Sequence, residues 1–125
     1  MIMKSIIAFL STGLVLGVMT VSTPAKANDV ASFLAGVCDN VADDNKGRFR
    51  KKLKNAGVKL RNIYDGVSCG GQSLVRYAIE KNATEVGVFM VKRMPGSHFA
   101  SSGDLEWANA NGYADSEITK AIKER

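Results

Sequence analysis

Histidine is nearly absent from this chain of 125 residues, which has one histidine, two cysteines, two prolines and one tryptophan. A single histidine cannot supply a histidine-based metal site. The chain also lacks the His-Glu-x-x-His motif of metalloproteases and the Walker loop of nucleotide-binding enzymes. We therefore predict that the protein is not an enzyme and that it binds neither a metal nor another cofactor.

Long apolar runs are absent except for one near the N-terminus. Lys4 precedes this run, which covers residues 5–21, and the small-x-small triplet of residues 25–27 follows it. The combination is typical of a secretory signal peptide, so we predict that residues 1–27 are removed by cleavage after Ala27 and that the protein is periplasmic. The alternative is an uncleaved membrane anchor, because the run approaches the roughly 20 residues that span a bilayer.

Acidic residues are fewer than basic ones, with 12 against 17 over the whole chain. Loss of Lys4 and Lys26 with the signal peptide lowers the formal net charge from +5 to +3. So small an excess does not indicate a nucleic-acid partner, and export argues further against one. The exported residues 28–125 are enough for a single domain with one modest core.

Both cysteines, Cys38 and Cys69, lie in the exported part of the chain. An even number of cysteines in an oxidising compartment predicts a disulfide between them. The alternative is a reactive thiol, which would need a Cys-x-x-Cys pair or a neighbouring histidine to lower its pKa. Because His98 is far along the sequence from both cysteines, the structural disulfide is the favoured interpretation.

Apolar residues recur at helical spacing through the first exported segment. The stripe that starts at Val30 predicts a helix over residues 29–41, with Asn28 or Asp29 as its N-cap. A second helix should follow the polar residues that precede Lys46 and should end at Gly57, since glycine readily takes the left-handed conformation at a helix C-terminus.

A β-hairpin is predicted next, because Val58 and Leu60 alternate with basic residues and Asp65-Gly66 follows them. Asp-Gly is a strong hairpin signal, since a type I′ turn needs positive φ at both central residues. Tyr64 would then lie at the hairpin tip. Gly70-Gly71 permits a second change of direction before a helix, and the alternative use of that corner is anion binding.

From Gly71 onward the chain resembles an ankyrin repeat. The matching residues occur at the spacing of that repeat's Gly, Thr, Leu, Ala, Gly, Glu, aliphatic and paired Leu positions: Gly71, Ser73, Val75, Ala78, Asn82, Glu85, Val86, Met90 and Val91. Leu74 and Arg76 stand where the repeat has proline and histidine. A second, less complete copy begins at Gly103. The resemblance implies a mostly α fold of ankyrin-like stacked helical hairpins, here with one short β-hairpin and a disulfide.

Two further segments, "VCDNVADD" around Cys38 and "LRNIYDGVSCGGQSLVRYA" around Cys69, accompany the signal peptide. With them the whole chain resembles a family of small exported bacterial proteins classed as a domain of unknown function. The resemblance implies paired cysteines and an envelope location. It implies no catalytic residues.

Basic residues are concentrated between Lys46 and Arg61, a stretch with eight of them and no acidic residue. One interpretation is a solvated helix face, since cations near a helix C-terminus are favoured by the dipole. The other is a docking surface for an acidic protein or for an anionic envelope lipid. On that interpretation, with the hairpin tip included, the candidate binding residues are Arg48, Arg50, Lys51, Lys52, Lys54, Arg61 and Tyr64.

The remaining aromatic and acidic residues are predicted to have structural roles. Tyr77, Phe89 and Trp107 are predicted to lie in the core, and residues 95–103, which include His98, are predicted to form a loop. Several carboxylates could in principle be paired for catalysis, but their neighbouring residues indicate helix caps, turns or surface positions: Asp43, Asp44, Asp65, Asp104 and Glu106.

These observations predict a non-catalytic protein-binding module of the periplasm, whose partner is an unknown envelope protein. A second hypothesis is peripheral binding of an anionic lipid or glycolipid at the membrane surface. A third is a small hydrolase without a recognisable motif, because missing motifs lower the expectation of an enzyme without excluding one.

Overall fold

The computed structural model describes residues 24–125 of the chain. Most of the predicted signal peptide, residues 1–23, lies outside these residues. The described part is mostly helical and has no β-strand. Its elements are α1 Pro24–Ala42, α2 Lys46–Ala56, α3 Leu60–Ile63, a 3₁₀ helix Tyr64–Gly66, α4 Leu74–Glu80, α5 Thr84–Arg93, α6 Gly96–Ser102, α7 Asp104–Ala110 and α8 Glu117–Lys123.

The chain divides into two compact units, Met1–Phe33 and Leu34–Arg125. The first unit is described only from Pro24 onward, where it consists of the first part of α1. The second unit contains the remaining helices and the whole core discussed below. No helix in the described part of the chain has both the length and the apolar character needed to cross a membrane.

Helix α1 begins earlier than its apolar stripe indicates. The prediction that Asn28 or Asp29 is its N-cap is wrong for the uncleaved chain, because the helix starts at Pro24 and both residues lie inside it. Proline is well suited to a first helical turn, and alanine at positions 25 and 27 continues the helix readily. The apolar stripe correctly predicted the C-terminal end near residue 41.

Helix α2 begins and ends at the residues whose chemistry indicates a cap. The Asn45 side chain accepts a hydrogen bond from the Arg48 N–H at 3.0 Å. At the other end Gly57 takes a φ of +69°, and its N–H donates to the carbonyls of Leu53 and Lys54. The predicted stop at Gly57 is thereby confirmed. Phe49 and Leu53 face inward from this helix and are buried.

Asp44, between α1 and α2, also caps a helix, but a distant one. Its side chain accepts a hydrogen bond from the Val86 N–H at 2.8 Å, in the first turn of α5. Asp44 itself has a φ of +54°, which aspartate tolerates better than most residues. A residue with a local capping signal therefore links two helices that are far apart in the sequence.

The predicted β-hairpin at Asp65-Gly66 is wrong. This segment forms α3 and the 3₁₀ helix, and the φ of Gly66 is not positive. Leu60 and Tyr64 are both buried and are four residues apart, so the inward-facing residues follow the helical period rather than the strand period. The alternation over Val58–Arg61 is too short to outweigh this burial.

A tight reversal of the chain occurs instead at Gly70-Gly71. Their φ values are +59° and +81°, as a type I′ turn requires, and Cys69 and Gln72 exchange two backbone hydrogen bonds of 2.9 and 3.0 Å. Ser73 then caps α4 by accepting from the Arg76 N–H at 3.4 Å. The predicted change of direction at the two glycines is confirmed, and it contains the isolated β-bridge of the described residues.

Two helix pairs form the core of the second unit. Helices α4 and α5 pack against each other, as do α7 and α8, while α5 lies on α8 and α4 on α7. Helix α2 also packs against α5. Gly87 of α5 permits the close approach, because a Cβ atom there would overlap the side chain of Ile118. The fully buried side chains between these helices are mainly aliphatic, including Leu74, Val75, Val86, Met90, Val91 and Ile118.

The Gly/Ser-rich stretch after Pro95 is not the predicted loop. It forms α6 over Gly96–Ser102 and ends at Gly103, whose φ is +76°. Phe99 in the middle of this helix is only 7% exposed. Burial of this ring accounts for a helix that glycine and serine would not form by themselves, since most helical stability in proteins comes from tertiary packing.

The predicted disulfide is confirmed. Cys38 and Cys69 are bonded, with their Cα atoms 5.6 Å apart and a separation of 31 positions along the chain. Cys38 belongs to α1, and Cys69 lies directly before the Gly70-Gly71 turn. The bond therefore attaches the C-terminal half of α1 to the reversal that leads into α4.

Candidate functional site

A groove of about 730 Å³ lies between α2, residues 58–61 and α5. Apolar side chains contribute to its floor: Leu53, Val58, Leu60 and Phe89. Six cationic side chains line it as well: Arg50, Lys51, Lys54, Lys59, Arg61 and Arg93. No acidic residue is among the residues that line it. We call this feature the basic groove.

Phe89 is the aromatic residue of the basic groove, and two arginines approach its ring. The guanidinium carbon of Arg50 is 5.5 Å from the ring centroid, and that of Arg93 is 5.0 Å from it. Both distances are typical of a cation–π interaction. The ring is half-buried rather than fully in the core, so the prediction that Phe89 is a core residue is wrong: one side packs inward and the other borders the groove.

Positive charge in the basic groove is not neutralised by neighbouring carboxylates. The ion pairs found in the described part of the chain involve Arg76, His98 and Lys120, none of which lines the groove. Six cations without a paired acid on one concave surface create a positive potential that attracts anions. The apolar floor beneath them can contact an apolar group of the same ligand.

The predicted basic binding residues lie on two different surfaces formed by α2 and residues 58–61. Arg50, Lys51, Lys54 and Arg61 line the basic groove. A second and shallower depression of about 430 Å³ is bordered by the side chains of Arg48, Lys51 and Lys52 together with Asp39 and Asp43 of α1, so its charge is mixed.

Among the predicted binding residues, Lys52 has the position least suited to contact with a partner. Its side chain crosses Gly36 of α1, where a Cβ atom would lie 2.8 Å from the Lys52 Cε. The stem is therefore packed against α1 and Lys52 is only half-exposed. The Lys52 Nζ would lie 2.7 Å from the same Cβ atom, so the charged end also lies against α1.

Phe89 and Arg93 are the groove residues that the sequence pattern did not reveal. They follow the basic segment by more than 25 residues and come next to it only because α5 packs on α2. One local signal exists: Arg93 follows Phe89 by four residues, so the two share a face of α5. That spacing alone does not show which helix they meet.

Tyr64 is buried and does not line the basic groove. It is 3% exposed, and its hydroxyl oxygen accepts a hydrogen bond from the Val75 N–H at 3.1 Å, at the start of α4. Its ring contacts the imidazole of His98, with centroids 4.9 Å apart. Burial raises the pKa of Tyr64 to about 12, against the smaller opposing effect of its hydrogen bonds with Ser73 and Val75. The prediction of an exposed hairpin tip is wrong because the segment is helical and turns the ring inward.

A buried polar cluster joins α4 to the junction of α6 and α7. The Arg76 guanidinium donates to Asp104 at 2.7 Å and to the Ser102 carbonyl at 3.1 Å. The Asp104 side chain is 3% exposed, so its expected surface position is wrong: the ion pair with Arg76 stabilises it in the interior. The second Asp104 oxygen lies 4.0 Å from His98 Nε2.

Trp107 and Tyr77 also lie at the edge of the core rather than within it. The Arg76 guanidinium is 5.2 Å from the Trp107 ring, which stacks on Tyr113 with centroids 5.6 Å apart. Tyr77 is half-buried, and Lys81 is 5.4 Å from its ring. Both aromatics therefore have one face available to a cationic side chain, which their helical spacing did not indicate.

One catalytic sequence motif is present, but the structure around it differs from that in which the motif is catalytic. Gly66–Gly70 reads Gly-x-Ser-x-Gly, a pattern that in α/β-hydrolases sets the serine on a sharp turn between a strand and a helix. Here Ser68 is exposed and follows a 3₁₀ helix, and the next residue, Cys69, is in the disulfide. Within residues 24–125 no group of three or more His, Cys, Asp or Glu side chains could hold a metal ion.

Comparison with known proteins gives one match. No curated protein and no solved structure matches the chain. Residues 37–101 match the family described as "Protein of unknown function (DUF3718)". The matched residues are more than half of the chain and include both cysteines and every residue that lines the basic groove. The chain therefore belongs to the DUF3718 family of proteins of unknown function.

Proposed function

We propose that this protein is an exported, non-catalytic binding module that holds an acidic segment of a partner protein in the basic groove. The observation that carries the proposal is a concave surface with six cations, an apolar floor and no acidic lining residue. Opposite charges increase the rate of encounter between two proteins. The apolar floor adds contact area that a simple solvated helix face would not have.

The groove's shape favours a polypeptide segment over a membrane surface. Its cations surround a depression instead of forming one flat face, and Leu53 and Leu60 in the floor are themselves buried. A lipid headgroup layer meets a protein across a broad surface, whereas an extended or helical segment can enter a groove. An anionic lipid or glycolipid is therefore the alternative ligand class.

Export is supported by two features. Residues 1–27 have the pattern of a signal peptide, and the disulfide is of the kind that persists in oxidising compartments such as the periplasm.

We also propose that the α4/α5 and α7/α8 pairs are ankyrin-like helical hairpins. Support comes from their order along the chain and from the packing of α5 on α8 and α4 on α7. Stacked helix pairs of this kind provide extended surfaces for protein partners in repeat proteins. The basic groove would then lie where α2 meets the first of these pairs.

Capture of partners from envelope extract tests the proposal. The exported protein is compared with Lys51→Gln/Lys54→Gln, which removes two groove charges, and with Lys92→Gln/Lys123→Gln, which removes two exposed charges outside the groove. We expect an acidic protein to be captured by wild type and by the second variant, and to be lost from the first.

Equal capture by both variants would contradict the groove assignment. Vesicles with and without phosphatidylglycerol provide the other comparison. Binding to the anionic vesicles that depends on Lys51 and Lys54, without capture of any protein, would replace the protein-partner proposal with the lipid one. Strong salt dependence is expected in either case, so it does not separate the two.

A further inference from the structure

We infer that Arg50 and Arg93, both held over the Phe89 ring, form a clamp for a carboxylate of an acidic peptide. Val58, the half-buried aliphatic residue of the groove lining, then contacts the apolar side chain next to that carboxylate. This inference rests on the proposed function, because it names the groups by which the basic groove recognises its ligand. We call Arg50, Phe89 and Arg93 the arginine clamp.

The two arginines come from different helices and meet at one ring. Arg50 is in α2 and Arg93 in α5, and their guanidinium carbons are 5.5 and 5.0 Å from the Phe89 centroid. Two positive groups near one ring raise the local positive potential, and a nearby anion offsets it. Neither arginine has a carboxylate partner among the described residues.

Guanidinium groups suit carboxylates better than ammonium groups do. A guanidinium is planar and can donate two parallel hydrogen bonds to the two oxygens of one carboxylate, whereas a lysine acts as a point charge. Contact with the ring also restricts the arginine side chains before a ligand arrives, which reduces the entropy lost on binding. The clamp therefore provides geometry, and the surrounding lysines provide long-range attraction.

Phe89 is a fixed support for the clamp. Its ring packs against Phe49 in a T-shaped arrangement, with centroids 6.1 Å apart and an interplanar angle of 83°. Phe49 is fully buried in the core. The position of the ring is thus set by the packing of α2 on α5, so the clamp exists only in the folded protein.

The chemistry of the lining residues defines the ligand. A carboxylate at the clamp brings its neighbours in the peptide over Val58, beneath which the buried Leu53 and Leu60 pack, and this apolar lining favours an aliphatic or aromatic side chain. Lys51, Lys54, Lys59 and Arg61 around this floor favour further acidic residues. The ligand class is therefore an acidic peptide segment with an apolar side chain between its carboxylates.

Binding of a fluorescent synthetic peptide of alternating glutamate and leucine tests the clamp. Arg50→Lys and Arg93→Lys keep the charge but remove the planar donor pair, and each should weaken binding about tenfold, which corresponds to about 1.4 kcal/mol. Phe89→Leu should weaken binding through the loss of the ring that holds both arginines. Lys92→Arg is the matched control, since it also keeps the charge and lies on α5 outside the basic groove; we expect wild-type affinity. Thermal unfolding of each variant shows that it is folded.

The possible outcomes separate the clamp from the proposed function. If wild type does not bind the peptide in preference to its glutamine version, the proposed function fails and the clamp with it. If wild type binds and Lys51→Gln/Lys54→Gln weakens binding, but Arg50→Lys and Arg93→Lys match wild type, the groove stands and the clamp is overturned. Equal affinity for a version with serine in place of leucine overturns the apolar part of the inference.

Discussion

At the scale of single residues, Tyr64 shows how burial changes the role of a side chain. Its hydroxyl oxygen accepts the Val75 N–H, one of the donors left unpaired at the start of α4. The ring fills the space between α3, α4 and His98. Tyr64 thus connects the 3₁₀ helix to the start of α4, and we expect it to contribute to stability.

The raised pKa of Tyr64 predicts a specific alkaline instability. An unfolded tyrosine ionises near pH 10, whereas burial raises the folded pKa to about 12. The stability that this group contributes is therefore fully present below pH 10 and is lost as the pH rises to 12, up to about 2 to 3 kcal/mol. Urea unfolding of wild type and Tyr64→Phe from pH 9 to 12 measures the loss.

Tyr64→Phe is expected to be less stable than wild type at neutral pH, because the Val75 N–H loses its acceptor. Its free energy of unfolding should then fall less than that of wild type over the alkaline interval. Parallel curves for the two proteins would show that Tyr64 does not ionise differently in the folded state.

Gly87 offers a second test at this scale. We expect Gly87→Ala to destabilise the protein by about 1 to 2 kcal/mol, because its Cβ would overlap Ile118 and the overpacking exceeds the gain in helix propensity. Gly47→Ala is the matched control: it is also in a helix, and the nearest atom to its Cβ is 3.8 Å away. That change should leave stability unchanged or raise it by up to about 1 kcal/mol. Equal effects of the two substitutions would contradict the close packing of α5 on α8.

Residues that act on their immediate neighbours could be predicted from the sequence. Asn45, Gly57 and Ser73 cap the helices next to them, since the hydrogen bonds involved span only a few residues. Asp44 carried the same local signal but caps α5, 42 residues away. Its hydrogen-bond partner depends on how the helices pack, and the local sequence around Asp44 does not indicate that packing.

At the scale of elements, the segment between α2 and α4 shows the limit of period-based prediction. Alternation over four residues and an Asp-Gly pair indicated a hairpin, but burial of Leu60 and Tyr64 one helical turn apart produced a helix. The type I′ turn forms instead at Gly70-Gly71, where both residues can take positive φ without strain. Helices α4 and α5 were implied by the ankyrin resemblance, which rests on residues spread over the whole segment from Gly71 to Val91.

The disulfide should act as a single cross-link between α1 and the turn before α4. We expect Cys38→Ser and Cys69→Ser each to destabilise the protein by about 3 to 4 kcal/mol, the chain-entropy estimate for a loop of 31 residues. The double variant should be no less stable than the worse single one, because the same bond is lost in all three. Urea unfolding measures the three values, with reduced wild type as a control. Additive losses in the double variant would mean that the two side chains act through separate contacts.

At the scale of the whole molecule, the proposed export would account for both the N-terminal pattern and the disulfide. We expect protein released from the periplasm to begin at Asn28, and its intact mass to show the loss of residues 1–27 and of two thiol hydrogens. Substitution of the cleavage-site residue Ala27 by Leu should leave the uncleaved form in the membrane fraction. Recovery of the full-length chain from wild-type membranes would favour an uncleaved anchor.

The candidate site was only partly predictable at this scale. Charge density along the sequence identified the basic segment, and Arg50, Lys51, Lys54 and Arg61 do line the groove. Two residues that complete it, Phe89 and Arg93, belong to a helix whose neighbours are decided by the packing of the whole core. Lys52 and Arg48 carry the same charge as the groove residues but face α1, since adjacent positions of a helix point in different directions.

The most direct test of the basic groove is the salt dependence of its affinity for the glutamate–leucine peptide, measured by fluorescence anisotropy. Wild type, Lys51→Gln/Lys54→Gln and Lys92→Gln/Lys123→Gln are titrated at several ionic strengths. We expect wild type and the Lys92/Lys123 variant to bind alike, with affinity that falls as salt is added. The Lys51/Lys54 variant should bind more weakly and with a shallower salt dependence, because fewer charges face the ligand. Absence of binding by wild type, or the same affinity and salt slope for both variants, would contradict a binding role for the groove.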